Sequence, residues 1–141
     1  MSNYSERIND LMFERKISPE ELSAVIGVSV STIYRWKNGE TDLMLNNLVA
    51  LADYFHCSTD FLMGRSEDMS DLTPRVCPPF PQRIREVMRE AGITTYKLRN
   101  TTRFDGKYFQ KWDRGAQPSS STLADLADYF ECSVDYLIGR E

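Results

Sequence analysis

The side chains able to do covalent or metal chemistry are few in this sequence and stand apart. His56 is the single histidine, and no set of acids and bases converges on it. Cys57, Cys77 and Cys132 are odd in number and widely spaced, which suits neither a disulfide framework nor a zinc site. The residues therefore predict no enzyme, no cofactor and no metal. What the chain does hold is hydrogen-bonding and cationic side chains at helical spacing. Ser29, Ser31, Thr32, Tyr34, Arg35 and Lys37 fall close together, and so do Lys107, Tyr108, Gln110, Lys111 and Arg114. Such sets do non-covalent chemistry: hydroxyls and amides exchange hydrogen bonds, and cations neutralise anions.

Both sets belong to one pattern written twice. "LADYFHCSTDFLMGR" at 51–65 returns as "LADYFECSVDYLIGR" at 126–140. An offset of 76 pairs Arg7 with Arg83, Ile8 with Ile84, Met12 with Met88, Leu22 with Leu98, Trp36 with Trp112 and Gly39 with Gly115, after which the offset becomes 75. His56 then aligns with Glu131, the mark of a surface position. Cys57 aligns with Cys132, the mark of a small core residue at a helix corner. The expected organisation is a first domain at 1–65, a proline-rich linker at 66–81 and a second domain at 82–141. Pro74, Pro78, Pro79 and Pro81 deny helix to the linker. At ~3.3 Å per residue the strap could reach on the order of 55 Å.

With 141 residues, 41% hydrophobic and 27% charged, the chain has room for two small soluble domains. No apolar run approaches the ~18 residues that span a membrane, and the polar "SNYSERIND" after Met1 does not read as a secretory signal. A cytoplasmic protein with no membrane partner is expected.

Periodicity supplies the elements. Ile8, Leu11 and Met12 stripe a first helix, and Leu22, Val25 and Ile26 stripe a second that starts on the capping box Ser18-Pro19-Glu20-Glu21 and ends at Gly27. Ser29 caps a third helix, "VSTIYRWKN", which stops at Asn38-Gly39. Leu48, Leu51, Ala52 and Phe55 stripe a fourth, and Ser58 opens a short fifth carrying Phe61 and Leu62. The fold class is all-α, with five helices in each unit. In the third helix Val28, Ile33 and Trp36 face the core. Ser29, Val30, Ser31, Thr32, Tyr34, Arg35 and Lys37 are left outside.

The run "SPEELSAVIGVSVSTIYRWKNG", followed by "LNNLVALADYFHCSTDFLMG", resembles the lambda-repressor-like (Cro-type, XRE-like) helix-turn-helix family over nearly all of the first unit. The features that carry it are the capped second helix, the small Ser23, the turn at Gly27, the apolar Ile33 and the Asn38-Gly39 stop. The resemblance implies two tandem lambda-repressor-like domains of bacterial or phage type, with double-stranded DNA as partner. It places the third helix in the major groove and the second across the backbone. Base reading then falls to Val30, Ser31, Thr32, Tyr34 and Arg35, with Arg35 able to fork onto guanine O6 and N7. Lys37 joins this face. Phosphate contacts fall to Ser18, Ser29 and Asn38. The family often has glutamine at the start of the second helix. Here Pro19 lacks an N–H and Glu20 repels phosphate, so this clamp should be weak. The plainer alternative for Arg35 and Lys37 is a pair of solvated charges, and for Trp36 and Trp112 a place in the core.

The second unit keeps the apolar stripe, from Ile84, Val87, Met88, Ile93 and Leu98 through Phe109 and Trp112 to Leu123, Leu126 and Phe130, but departs at the turn. Arg99 replaces Ser23, and Arg103 replaces Gly27. A left-handed Arg103 would cost roughly 1 kcal/mol. The turn is therefore expected on Asn100, with "TTR" as a loop before Asp105 caps the next helix. Residues 83–114 nevertheless hold nine basic against four acidic residues, net +5, where 7–39 have five against four, net +1. Arg103, Lys107, Tyr108, Gln110, Lys111 and Arg114 are thus candidates for phosphate and groove contacts. The chain as a whole is net −4, and residues 115–141 are acidic, with Asp125, Asp128, Glu131, Asp135 and Glu141 against Arg140 alone. The expected function is a sequence-specific regulator of transcription, as a repressor, with the second unit adding DNA contacts or dimerisation. A homodimer stays open as a partner, and no small-molecule effector is visible. The rival is an antitoxin-like or anti-repressor protein-interaction module on the same scaffold.

Overall fold

In the computed structural model, which describes residues 3–69 and 76–141, capping chemistry sets most helix boundaries. The first set of helices is α1 (Asn3–Arg15), α2 (Pro19–Ile26), α3 (Val30–Asn38), α4 (Leu45–Phe55) and α5 (Thr59–Leu62). The order repeats in α6 (Phe80–Ala91), α7 (Thr95–Thr101), α8 (Gly106–Asp113), α9 (Ser120–Tyr129) and α10 (Val134–Ile138). Two compact units result, residues 1–74 with 119–121 and residues 75–118 with 122–141. Residues 70–75, which include the linker's Pro74, lie outside the described residues.

In the first unit the Ser18 hydroxyl accepts from the Glu21 N–H at 3.1 Å, and the Glu21 carboxylate reaches back to the Ser18 N–H. Gly27 closes α2 at φ +88°, a conformation an L side chain rarely adopts. Ser29 then caps α3 by accepting from the Thr32 N–H at 3.2 Å. α3 packs on α1 and α2, while α5 packs on α1 and α4. Ile8, Leu11, Met12, Leu22, Ile33, Trp36, Leu48, Leu51, Ala52, Phe55 and Leu62 are buried, as their spacing predicts. Val25 is not: it is 55% exposed. The buried side of α2 centres between Leu22 and Ser23, and at about 100° per residue Val25 lies roughly 110° from that centre while Ile26 lies almost on it.

The second unit solves the same problem with aromatic rings. Trp112 sits 5.0 Å from Phe80, 5.1 Å from Phe109, 5.8 Å from Tyr108 and 6.2 Å from Phe104 between ring centroids. Both tryptophans are core residues. Two expectations for this copy are corrected. Phe80 and Pro81 are not linker but the first turn of α6, where a missing N–H costs no intrahelical bond. Pro78, just before it, packs so closely on Gly139 that a Cβ there would come within 2.8 Å of its ring.

The turn after α7 is the second correction. Asn100 is helical, and Thr102 leaves the helix in extended conformation at φ −139°. Arg103 is not among the residues of positive φ, in agreement with the expectation that the turn avoids a left-handed arginine, but the turn does not fall on Asn100 either. The physical reason is side-chain capping: the Thr101 hydroxyl donates to the Lys97 carbonyl at 2.7 Å, and the Thr102 hydroxyl to the Leu98 carbonyl at 2.6 Å. Thr102 Oγ1 also accepts from the Phe104 N–H at 3.1 Å. The Thr102 N–H still reaches the Leu98 carbonyl at 2.9 Å, so α7 ends in an extended residue, braced by its own hydroxyl, where Gly27 ends α2 in the first copy. Asp105 caps α8 as expected, accepting from the Lys107 N–H at 3.0 Å.

The duplicated phrase encodes matching contacts. Arg65 meets Asp60 at 3.0 Å, and Arg140 meets Asp135 at 2.9 Å. Arg7 lies over the Phe61 ring at 4.0 Å, and Arg83 over Tyr136 at 4.8 Å. His56 and Glu131, both exposed, hold the left-handed positions that end α4 and follow α9. The ion pairs differ in depth, because Arg140 and Asp135 are 1% and 2% exposed. Asp135→Ala should therefore cost about 3 kcal/mol or more by stranding a buried guanidinium, whereas Asp60→Ala, which leaves the partly exposed Arg65 open to water, should cost less. Urea unfolding checks the first in a Trp36→Phe background, where Trp112 fluorescence reports the second unit alone.

Candidate nucleic-acid interface

A nine-residue helix has little stability by itself, so the outer face of α3 is set by what holds its inner face. Ile33 and Trp36 are 0% and 2% exposed. On the other side Ser29, Ser31, Tyr34, Arg35 and Asn38 are exposed, and Val30, Thr32 and Lys37 are half-buried. The Ser29 hydroxyl lies 3.0 Å from that of Ser31 and 2.9 Å from that of Thr32, a hydroxyl cluster at the positive end of the helix. Lys37 Nζ stands 5.6 Å from the Tyr34 ring centroid. Arg35 makes no ion pair among the described residues, and no carboxylate lies within α3. This face offers donors, a forked cation and one apolar contact at Val30.

Ser18 is placed differently. Its hydroxyl lies between the Glu21 N–H and the Glu21 carboxylate, the latter at 3.0 Å, so it is already engaged. With Pro19 lacking an N–H and Glu20 exposed, the start of α2 is an acidic end.

One residue that fixes α3 was not found from the sequence. Asn9 on α1 donates both amide hydrogens, to the Lys37 carbonyl at 2.9 Å and to the Ser5 carbonyl at 2.8 Å. The second unit has the same tether in another chemistry. Arg85 stands where Asn9 stands in the repeat, Asp113 stands where Lys37 does, and the guanidinium forks onto the carboxylate at 2.8 and 3.0 Å. The clue was available in the alignment of the two copies, since positions 9 and 37 change together.

On α8 Lys107, Gln110 and Lys111 are exposed, as is Arg114 just after it. Tyr108 is half-buried, with its ring 5.1 Å from Phe104 and 5.8 Å from Trp112, so most of it belongs to the aromatic core. Arg103 is exposed but not idle. Its guanidinium lies 2.6 Å from the Asp125 carboxylate and 4.4 Å from the Phe104 ring centroid. Asp125 first, and Tyr108 after partial burial opposes it, raise the Arg103 pKa above its already high ordinary value. α7 carries a further basic surface that the sequence pattern does not single out. Lys97 and Arg99 are exposed there, at the places held by Glu21 and Ser23 in α2. Among the described residues no group of three or more histidine, cysteine or acidic side chains could hold a metal ion, and no helix is long and apolar enough to cross a membrane.

Comparison with known proteins agrees with this geometry. Residues 11–62 match the helix-turn-helix family, and residues 83–141 match the Cro/C1-type helix-turn-helix DNA-binding domain. The chain is 38% identical over 60 residues to an uncharacterized helix-turn-helix-type transcriptional regulator of Haemophilus influenzae. That match covers 43% of this chain and 25% of the relative, so the chain spans about a quarter of the relative's length. No solved structure matches it.

The Arg85 tether gives a pH prediction. The hydrogen bond from Arg85 lowers the Asp113 pKa below its ordinary 3.8. A depressed carboxylate stabilises the fold above its unfolded value and loses that contribution as pH falls through the folded one. The tether should therefore be intact at about pH 5 and come apart only below about pH 4, where an NMR titration of the Asp113 carboxyl would place its midpoint under that of a free aspartate.

Proposed function

We propose that this chain, which belongs to the Cro/C1-type helix-turn-helix family and carries the domain twice, is a cytoplasmic repressor of transcription whose first unit reads duplex DNA. The observation that carries the reading is the outer face of α3: polar, free of carboxylates within the helix, and held rigidly by Ile33, Trp36 and the Asn9 amide. Arg35 forks onto guanine O6 and N7 in the major groove, Ser31, Thr32 and Tyr34 bond neighbouring base edges, and Val30 meets a thymine methyl. Ser29, Asn38 and the start of α3 take phosphates, while Lys37 adds charge at the rim.

The second unit grips backbone more than bases. Its exposed Lys107, Lys111 and Arg114 are placed to neutralise phosphates, Gln110 adds a polar contact, and the Tyr108 ring is committed to the core. Lys97 and Arg99 extend the basic surface onto α7, in contrast to the acidic start of α2. The division of labour follows from charge: the copy with the poorer reading helix has the larger positive excess.

Two substitutions test it by equilibrium binding across a salt series. Arg35→Ala should cost about 1–3 kcal/mol on the preferred site and almost nothing on unrelated duplex. Lys111→Ala should weaken all duplexes alike and flatten the salt slope by roughly 0.9. Equal loss on all sequences for Arg35→Ala would remove it from base reading. Tight binding of a protein in high salt, without competition by nucleic acid, would favour an antitoxin-like partner instead.

A further inference from the structure

Arg103 is the one candidate contact of the second unit whose charge is already answered from within, by Asp125 on α9. Neither residue has a counterpart in the first copy. Position 103 corresponds to Gly27 and position 125 to Ala50, so the pair distinguishes the second unit as a pair. Burial does not require it. Both side chains are about half exposed, at 51% and 49%, and a solvated ion pair of this kind adds little to stability. Nor does the turn require it, since the threonine hydroxyls already close α7.

Its placement points to nucleic acid. Arg103 occupies the turn directly before α8, two residues from the Asp105 cap and four from Lys107. The Phe104 ring, 4.4 Å away, holds the guanidinium plane in position. A carboxylate presents to that fork the same kind of charged oxygens that a backbone phosphate presents. We propose that Asp125 occupies Arg103 in the place of a DNA phosphate, and so sets how much sequence-independent affinity the second unit contributes. The proposal rests on the DNA-binding reading given above. Phosphate binding at this turn exchanges one anion for another and leaves Asp125 as a nearby negative charge. The second unit is thus restrained on preferred and unrelated duplex alike. Asp125 acts through Arg103 and tunes affinity without touching the DNA.

The test measures binding of the full chain to a duplex of scrambled sequence across a salt series, for the wild type, Asp125→Asn, Arg103→Gln and the double variant, with thermal unfolding of each. Asp125→Asn should tighten scrambled-duplex binding roughly threefold to tenfold near ~0.1 M salt and steepen the salt slope by up to ~0.9. In the Arg103→Gln background the same change should bring little gain, and the melting temperatures should stay close together. Unchanged or weaker binding by Asp125→Asn at an unaltered slope would overturn the proposal, leaving the pair structural. A full gain in the Arg103→Gln background would overturn it too, since Asp125 would then act as a general repulsive charge. A wild type that binds no duplex at any salt would overturn the DNA-binding reading itself, a result seen before any variant is compared.

Discussion

The burial of Ile33 and Trp36 is the constraint on which the rest of the first unit depends. α3 has too few residues to hold its shape in water, yet its outer side chains can act as a recognition surface only if their helix is rigid. The protein meets this by fixing α3 at both ends and along its inner face. Ser29 caps the start, Gly39 ends it in left-handed conformation, and the Asn9 amide holds the final turn. Ser31, Thr32, Tyr34 and Arg35 are relieved of packing, which leaves them available for contacts outside the protein.

The two copies show which parts of this solution are fixed by physics and which are free. The Asp60–Arg65 and Asp135–Arg140 pairs recur, as do the arginines stacked on Phe61 and Tyr136. These contacts lie within or next to the repeated phrase, away from α3 and α8. The turn and the tether keep their task while changing chemistry: a left-handed glycine gives way to two threonine hydroxyls, and an asparagine amide to an arginine–aspartate fork. A helix end needs a way out and a short helix needs an anchor, but neither requirement names a residue type.

That distinction accounts for what could be read directly from the amino-acid order. Local chemistry was legible: the Ser18–Glu21 box, the Ser29 and Asp105 caps and the Gly27 stop each act within four residues, and each lies where it was expected. The apolar stripes placed most of the core for the same reason. Val25 failed because a short helix buries a narrow side, and only the position of its neighbours decides where that side is centred. The Asn100 turn failed because a turn was assumed to need a left-handed residue, when Thr102 could leave the helix in extended conformation instead. Pro81 failed because a proline that ends one helix can begin another. The Arg103–Asp125 pair was beyond reach, since it joins residues more than twenty positions apart, and Asn9 showed only in the alignment of the two copies.

The central claim is that one unit reads bases while the other holds backbone. Selection of the full chain against a pool of random duplexes at moderate salt, followed by sequencing of what is retained, tests it most directly. A single type of half-site, alone or as a symmetric pair, is the expected result. Two unlike half-sites enriched together would contradict it by making the second unit a reader of bases, and no enrichment would remove base reading altogether.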